Sequence, residues 1–242
     1  MVMAVLELHD IVAGYVSEIH ILNGIQLVAQ RGSITGIIGA NGSGKSTLLK
    51  MIFGFLHPFR GRILFNGSEI QHLAPHAVKR SGIGYVPQST NIFPQLTVHE
   101  NLQLGAWIFR RDASRMAEML ARAYKAFPRL AEKRRARATT LSGGEAKMLS
   151  IAKELVTEPS LLLVDEPSAG LAPKIADQVY EQLMEARSRG LTILLVDQNI
   201  SKAVEVSEYM YMLEMGRVRQ EGPRQQFADQ IRDIIRDTLL GV

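Results

Sequence analysis

Cysteine is missing altogether from this 242-residue chain. Its absence rules out disulfides and thiolate metal centres, and it is compatible with a reducing compartment without requiring one. Long apolar runs are missing too. Stretches such as Leu191 to Val196 are strand-sized, far short of the ~18 residues of a bilayer-spanning helix, so the expectation is a soluble or peripheral protein. The opening Met1–His9 segment has no basic region ahead of a long apolar core, and no secretory signal is expected. No internal repeat or low-complexity tract is present. With 46% hydrophobic residues the chain can bury a sizeable core, which excludes disorder as its main state.

Charge is modest in sum and uneven in place. The net charge is +4, yet Gly105 to Ala138 holds ten Arg or Lys against only Asp112, Glu118 and Glu132, so the remainder is mildly acidic. Such a block suits a solvated helical face, proximity to anionic headgroups, or nucleic acid. Aromatics interleaved for base stacking are sparse there, and no nucleic-acid partner is expected.

What is present begins with Gly39-Ala40-Asn41-Gly42-Ser43-Gly44-Lys45-Ser46-Thr47, which fits G-x-x-x-x-G-K-[ST], a phosphate-binding loop. Glycines allow a tight fold in which successive N–H groups point at a polyphosphate, and the next helix aims its N-terminal dipole at the same anion. Lys45 would reach the β- and γ-phosphates and Ser46 would ligate Mg²⁺. Context agrees: Ser33–Ile38 reads as a buried strand entering the loop, and Ser46–Phe53 as a helix leaving it.

Around this loop the pattern alternates between strands and helices. Residues 1–35 predict short antiparallel strands, with turn signals at Ala13-Gly14, Asn23-Gly24 and Arg31-Gly32. Gly61–Gly67 reads as a strand and turn, and Ile83–Val86 as a core strand stopped by Pro87. From Thr97 to about Pro159 the apolar spacing is helical. Continuous apolar strands return at Ser160–Val164 and Thr192–Val196, around a helix from Lys174 to Arg189 closed by Gly190. This is the pattern of an α/β fold with a mainly parallel sheet covered on both faces.

Two further motifs carry chemistry. Leu161-Leu-Leu-Val-Asp165-Glu166 sets two carboxylates at the C-terminal end of a buried strand, where open α/β sheets bind ligands. Asp165 suits Mg²⁺ held through water, and Glu166 suits a base that polarises an attacking water. Leu141-Ser142-Gly143-Gly144-Glu145 precedes a helical run. Read by itself it is either a helix cap or a second anion site.

Together the three motifs resemble the nucleotide-binding subunit of ATP-binding cassette (ABC) proteins over nearly the whole chain. The resemblance implies a P-loop NTPase (RecA-like) core at 1–88 and 159–242, with an N-terminal antiparallel β region and an inserted helical subdomain at 89–158. It implies an ATPase using ATP and Mg²⁺, with the loop residues Gly39, Asn41, Gly42, Ser43, Gly44, Lys45, Ser46 and Thr47 around the nucleotide. Tyr15 matches the aromatic that stacks on adenine, and Gln88 the glutamine that contacts Mg²⁺ and senses the γ-phosphate. Ser142, Gly143 and Gly144 would act in trans on ATP held by a second ATPase subunit, identical or related. Ser168–Pro173 corresponds to the loop crossing between the two chains, and lacks the commoner Asp after Leu.

One departure bears on catalysis. Many such ATPases carry a histidine where this chain has Asp197-Gln198-Asn199, and no His follows His99. Gln198 can donate a hydrogen bond but has no imidazolium form, so catalysis rests on Glu166 with Gln198 and Lys45. The Gln-Asn variant, Gly82–Pro87, Ile92–Val98 with Glu100-Asn-Leu102, Ser168–Pro173 and a tail ending Leu240-Gly look like the smaller ATPase of branched-chain amino-acid importers. Urea and amide importers share these features. Membrane permease subunits, a periplasmic solute-binding protein and a cytoplasmic position at the inner membrane face are implied with it. A soluble ABC ATPase of nucleic acid or ribosomes usually has a coiled-coil insertion or two cassettes, and neither is seen. A guanine-reading Asn-Lys-x-Asp motif is also missing.

Overall fold

Two sheets organise the residues that the computed structural model describes, 3–16 and 18–230. Strands β1 (Ala4–Ala13) and β2 (Leu22–Gln30) pair antiparallel, then β3 (Ile34–Ile38) leads through the phosphate loop into helix α1 (Lys45–Ile52). The hairpin β4 (Arg60–Phe65) and β5 (Ser68–Glu69) follows, with helix α2 (Pro75–Ser81) and strand β6 (Ile83–Val86). The antiparallel sheet has the order β2-β1-β4-β5.

One expected turn proves to be something else. Asn23-Gly24 lies inside β2: Ile11 pairs with Ile25 and Val12 with Asn23, which leaves Gly24 as the extra residue of a bulge. Its φ of +74° is the left-handed conformation that such bulges place on glycine. The signals at Ala13-Gly14 and Arg31-Gly32 do end strands.

From Val98 to Leu155 the regular elements are helices, as the spacing from Thr97 onward predicts. They include α3 (Val98–Gly105), α4 (Ala113–Ala126), α5 (Pro128–Glu132) and α6 (Gly143–Leu155). α3 starts at a reciprocal capping box between Thr97 and Glu100, which satisfies two otherwise orphaned donors. Then come β7 (Leu161–Asp165), α7 (Pro173–Ser188), β8 (Thr192–Val196), α8 (Ile200–Val206), β9 (Tyr209–Glu214), β10 (Arg217–Pro223) and α9 (Arg224–Asp229). Gly190, at φ +97°, follows α7 as a left-handed stop. The Leu240-Gly ending lies outside the described residues.

The second sheet has the order β10-β9-β3-β8-β7-β6, parallel except for β10. Both faces of its central strands are buried, and period-two geometry divides their side chains between two cores. Leu161 and Leu163 of β7 pack toward the antiparallel sheet, while Leu162 and Val164 pack toward the helical segment. Each such fully buried aliphatic side chain contributes about 1.5–3 kcal/mol. In-register pairing of Val86 with Val164, Asp165 with Val196, and Val196 with Ile37 brings the C-terminal ends of β6, β7, β8 and β3 to one edge. Gln88, Glu166, Gln198 and the phosphate loop all emerge there.

Candidate functional site

The phosphate loop is shaped by contacts that forbid side chains. A Cβ on Gly39 would stand 2.2 Å from the Leu213 carbonyl oxygen, and Gly44, at φ +105°, would push one to 2.8 Å from Leu22 Cδ2. Gly44 also occupies the cap of α1 without any side-chain hydrogen bond, so the helix N-terminus is open to an anion. Ser43 Oγ is buried with no partner, an orphan donor of the kind a bound ligand satisfies. Lys45 is 5% exposed, and its Nζ donates to the carbonyls of Gly39 (2.7 Å) and Ala40 (3.0 Å). Burial lowers its pKa, opposed by the charges of Glu166, Asp165 and Asp197.

The carboxylates face this lysine from the end of β7. Asp165 accepts from Ser46 Oγ at 3.0 Å and from the Tyr85 hydroxyl at 3.4 Å. Burial raises the Asp165 pKa; the Ser46 hydrogen bond works against that rise and the neighbouring Glu166 adds to it. Glu166 is held on both oxygens: Gln88 Nε2 donates to Oε2 at 2.6 Å and Gln198 Nε2 to Oε1 at 2.7 Å. Its backbone sits at φ +44°, a sparsely populated conformation for a residue with a side chain, of the sort that collects at functional sites. Gln88, Glu166, Gln198, Asn41, Lys45 and Ser46 share one cavity of about 450 Å³.

The Ser-Gly-Gly motif is elsewhere. Ser142 caps α6, its Oγ accepting from Glu145 N (3.3 Å) while Glu145 Oε2 accepts from Ser142 N (3.0 Å), so the capping role exists. Ser142 and Gly143 nevertheless remain exposed. A Cβ on Gly143 would meet nothing within 4 Å, whereas on Gly144 it would strike Ile175 at 2.5 Å. Ser142 and Gly144 line a separate cavity of about 350 Å³ with residues of α5 and α7, so one chain does not bring them to its own phosphate loop. Tyr15 is 56% exposed and lies near enough to Tyr85 to add electrostatically to the burial that raises the Tyr85 pKa.

Comparison with known proteins shows the family and the fold. The family model described as ABC transporter matches residues 22–169. The chain belongs to the ABC transporter family. This ABC chain is 43% identical over 211 residues to a probable branched-chain amino acid transport ATP-binding protein, LivF, of Archaeoglobus fulgidus, covering 87% of this chain and 88% of the relative. It is 39% identical over 209 residues to the high-affinity branched-chain amino acid transport ATP-binding protein BraG of Pseudomonas aeruginosa, covering 86% and 89%. Among solved structures, the ADP conformation of MJ1267, an ATP-binding cassette of an ABC transporter, superposes with a TM-score of 0.87 at 28% identity, covering 99% and 100% of the two chains. The expected P-loop α/β fold and ATPase class are thereby borne out.

Three residues of this ABC ATPase site escaped sequence reasoning. Lys147, 3% exposed on α6, donates to the carbonyls of Pro87 and Gln88, both at 3.0 Å. Tyr180 of α7 donates to Asp197 Oδ2 at 2.6 Å and lies 3.0 Å from Ser168 Oγ, tying the residue before Gln198 to the loop after Glu166. Burial raises the pKa of Asp197, against the hydrogen bond from Tyr180. Lys147 gave no sequence signal, and for Tyr180 the available one was a hydroxyl on the otherwise apolar buried face of α7. Asp197 had a clearer one, a carboxylate at the end of β8.

Proposed function

We propose that the chain is the ATP-hydrolysing subunit of an importer for branched-chain amino acids, working as half of a head-to-tail ATPase pair beneath a separate membrane permease, at its cytoplasmic face. The observation that carries this reading is that the site is divided. The phosphate loop and Glu166 line one cavity, and the exposed Ser142 with Gly144 lines another. Two chains facing each other join the two halves across ATP, with Ser142, Gly143 and Gly144 of one meeting the γ-phosphate held by the other. The names of the LivF and BraG relatives support the solute class, and a periplasmic solute-binding protein belongs to the same reading.

Lys45 leaves its two carbonyl partners for the β- and γ-phosphates, and the uncapped start of α1 with Ser43 and Thr47 receives the remaining oxygens. Asn41, Gly42 and Gly44 present backbone donors, and Tyr15 offers an exposed ring to adenine. Ser46 and Asp165 would hold Mg²⁺, which neutralises phosphate charge during transfer, with Gln88 within the same shell. The donor set fits: these are hard oxygen ligands, few in number. Among the described residues no group of three or more His, Cys, Asp or Glu is placed to hold a metal, which suits an ion completed by phosphate and water. Glu166, oriented by Gln88 and Gln198, accepts the proton of the water that attacks in line. Loss of the γ-phosphate removes the bridge between the chains, so hydrolysis resets a two-state dimer.

Lys45→Ala tests the assignment. The variant is expected to lose measurable ATP binding by calorimetry and turnover with it. Near-normal hydrolysis would remove the phosphate-loop reading. For the solute, restoration of leucine uptake in cells lacking their own importer ATPase, dependent on Lys45, is the expected result.

A further inference from the structure

The segment following Gln88 is fastened to one face of α6 by polar contacts that no motif announces. Lys147 takes the carbonyls of Pro87 and Gln88. One turn on, Ser150 Oγ donates to Asn91 Oδ1 at 2.7 Å. A turn further, Lys153 donates to the Asn91 carbonyl and Asn91 Nδ2 donates to Glu154 Oε1 at 3.0 Å. Positions 147, 150, 153 and 154 fall on one helical stripe. All four are buried, at 3, 0, 8 and 4% exposure.

Glu154 is paired with Lys79 at 2.6 Å, whereas among the described residues the ammonium groups of both Lys153 and Lys147 are hydrogen-bonded to carbonyl oxygens, and it is Lys147 that holds the chain at Gln88. Burial pushes its pKa down to about 8, against the more distant charges of Asp165, Asp197 and Glu166. A buried amine without a carboxylate partner is a costly choice for a position that only needs filling. What it grips is informative: Gln88 is held through its carbonyl by Lys147 while its side-chain amide holds Glu166. The other end of α6 begins at Ser142.

We propose that Lys147 is a positioning residue that joins α6 to Gln88, so that a displacement of the helix at Ser142 is passed to the Gln88–Glu166 hydrogen bond. The inference rests on the reading of Ser142 as the contact to the partner's ATP and of Gln88 as a residue that orients Glu166. The contact of α6 with nucleotide on the opposite chain then reaches the base of its own site through a lever of three side chains.

A double-mutant cycle tests it. Steady-state ATPase and fluorescent-nucleotide binding are compared for wild type, Lys147→Met, Gln88→Ala and the double variant. Lys147→Met is expected to lower kcat about tenfold while ATP affinity stays within about twofold, and to cost less than about twofold when Gln88 is already Ala. Lys147→Gln, which keeps a neutral donor, is expected to lose about threefold, again only when Gln88 is intact. It carries the test if the Met variant does not fold. A full, additive loss in the Gln88→Ala background, or a parallel loss of ATP affinity, overturns the coupling alone. If Gln88→Ala by itself matches wild type, the role given to Gln88 falls and the coupling with it.

Discussion

Gln198 donates its side-chain amide to Glu166 Oε1 at 2.7 Å, at the position where the family resemblance leads one to expect a histidine in many such ATPases. With Gln88 on the other oxygen, the carboxylate is fixed in direction while its charge is kept, because amides orient an anion without neutralising it. Gln198→Ala frees Oε1 and is expected to lower kcat by about tenfold, a fraction of the ~10²–10⁴ that a positioned base supplies. Gln198→His offers a ring N–H to the same oxygen and is expected to retain most of the rate. Steady-state ATPase assays separate the two, and an unchanged Gln198→Ala enzyme would make the residue a bystander.

Glu166→Gln keeps the shape of the site and removes the proposed base. Such a chain is expected to bind ATP, hydrolyse it at least ~100-fold more slowly, and accumulate as a closed dimer. Size-exclusion chromatography with Mg-ATP reads the outcome directly. Persistence as a monomer at saturating nucleotide would contradict the divided-site reading, in which ATP is the joint between the chains.

The elements that sequence reasoning found share one property: their signal is local. Ile34–Ile38 and Leu161–Asp165 are buried at every position, mostly apolar apart from Thr35 and the terminal Asp165, and the motif that joins β3 to α1 is written in nine consecutive residues, Gly39–Thr47. Asn23-Gly24 misled because a hairpin turn and a bulge ask the same left-handed backbone of glycine, and only pairing across the sheet tells them apart. Gln88 was reached through family resemblance, since one glutamine after a proline carries no chemistry of its own. Lys147 was out of reach for a stronger reason. Its partner at Gln88 is 59 positions away, and a lysine on an amphipathic helix ordinarily reads as solvated surface.

Tyr180 bridges the loop after Glu166 to the residue before Gln198. Its hydroxyl donates to Asp197, which is 2% exposed and also accepts from Asn199 N at 2.8 Å and from the Gln198 backbone. Tyr180→Phe strips one donor from a buried carboxylate, a change that costs about 1–3 kcal/mol, and lowers Tm by roughly 2–4 °C for each of them. Because Gln198 is displaced with Asp197, kcat is expected to fall about threefold or more. A drop in Tm with unaltered kcat would confine Tyr180 to a packing role.

Lys153 is expected to give the fold an alkaline pH dependence. Burial lowers its pKa below the ordinary 10.5; Glu154 opposes the shift and Lys79 adds to it. Between the folded and unfolded values the unfolded chain retains a proton that the folded chain has released, so stability rises with pH across that window. Lys45 and Lys147 are depressed in the same direction. Tyr85 and Tyr180 act oppositely, since their pKa values are raised from 10.0 by burial, and the gain reverses once unfolded tyrosines ionise. Urea midpoints of the nucleotide-free protein are therefore expected to climb from ~pH 7 to ~pH 9.5, and Lys153→Met is expected to climb less. A variant whose midpoint rises as far as the wild type's over the same interval would mean that this ammonium is as well stabilised in the folded protein as in water, and that the Asn91 carbonyl offsets its burial in full.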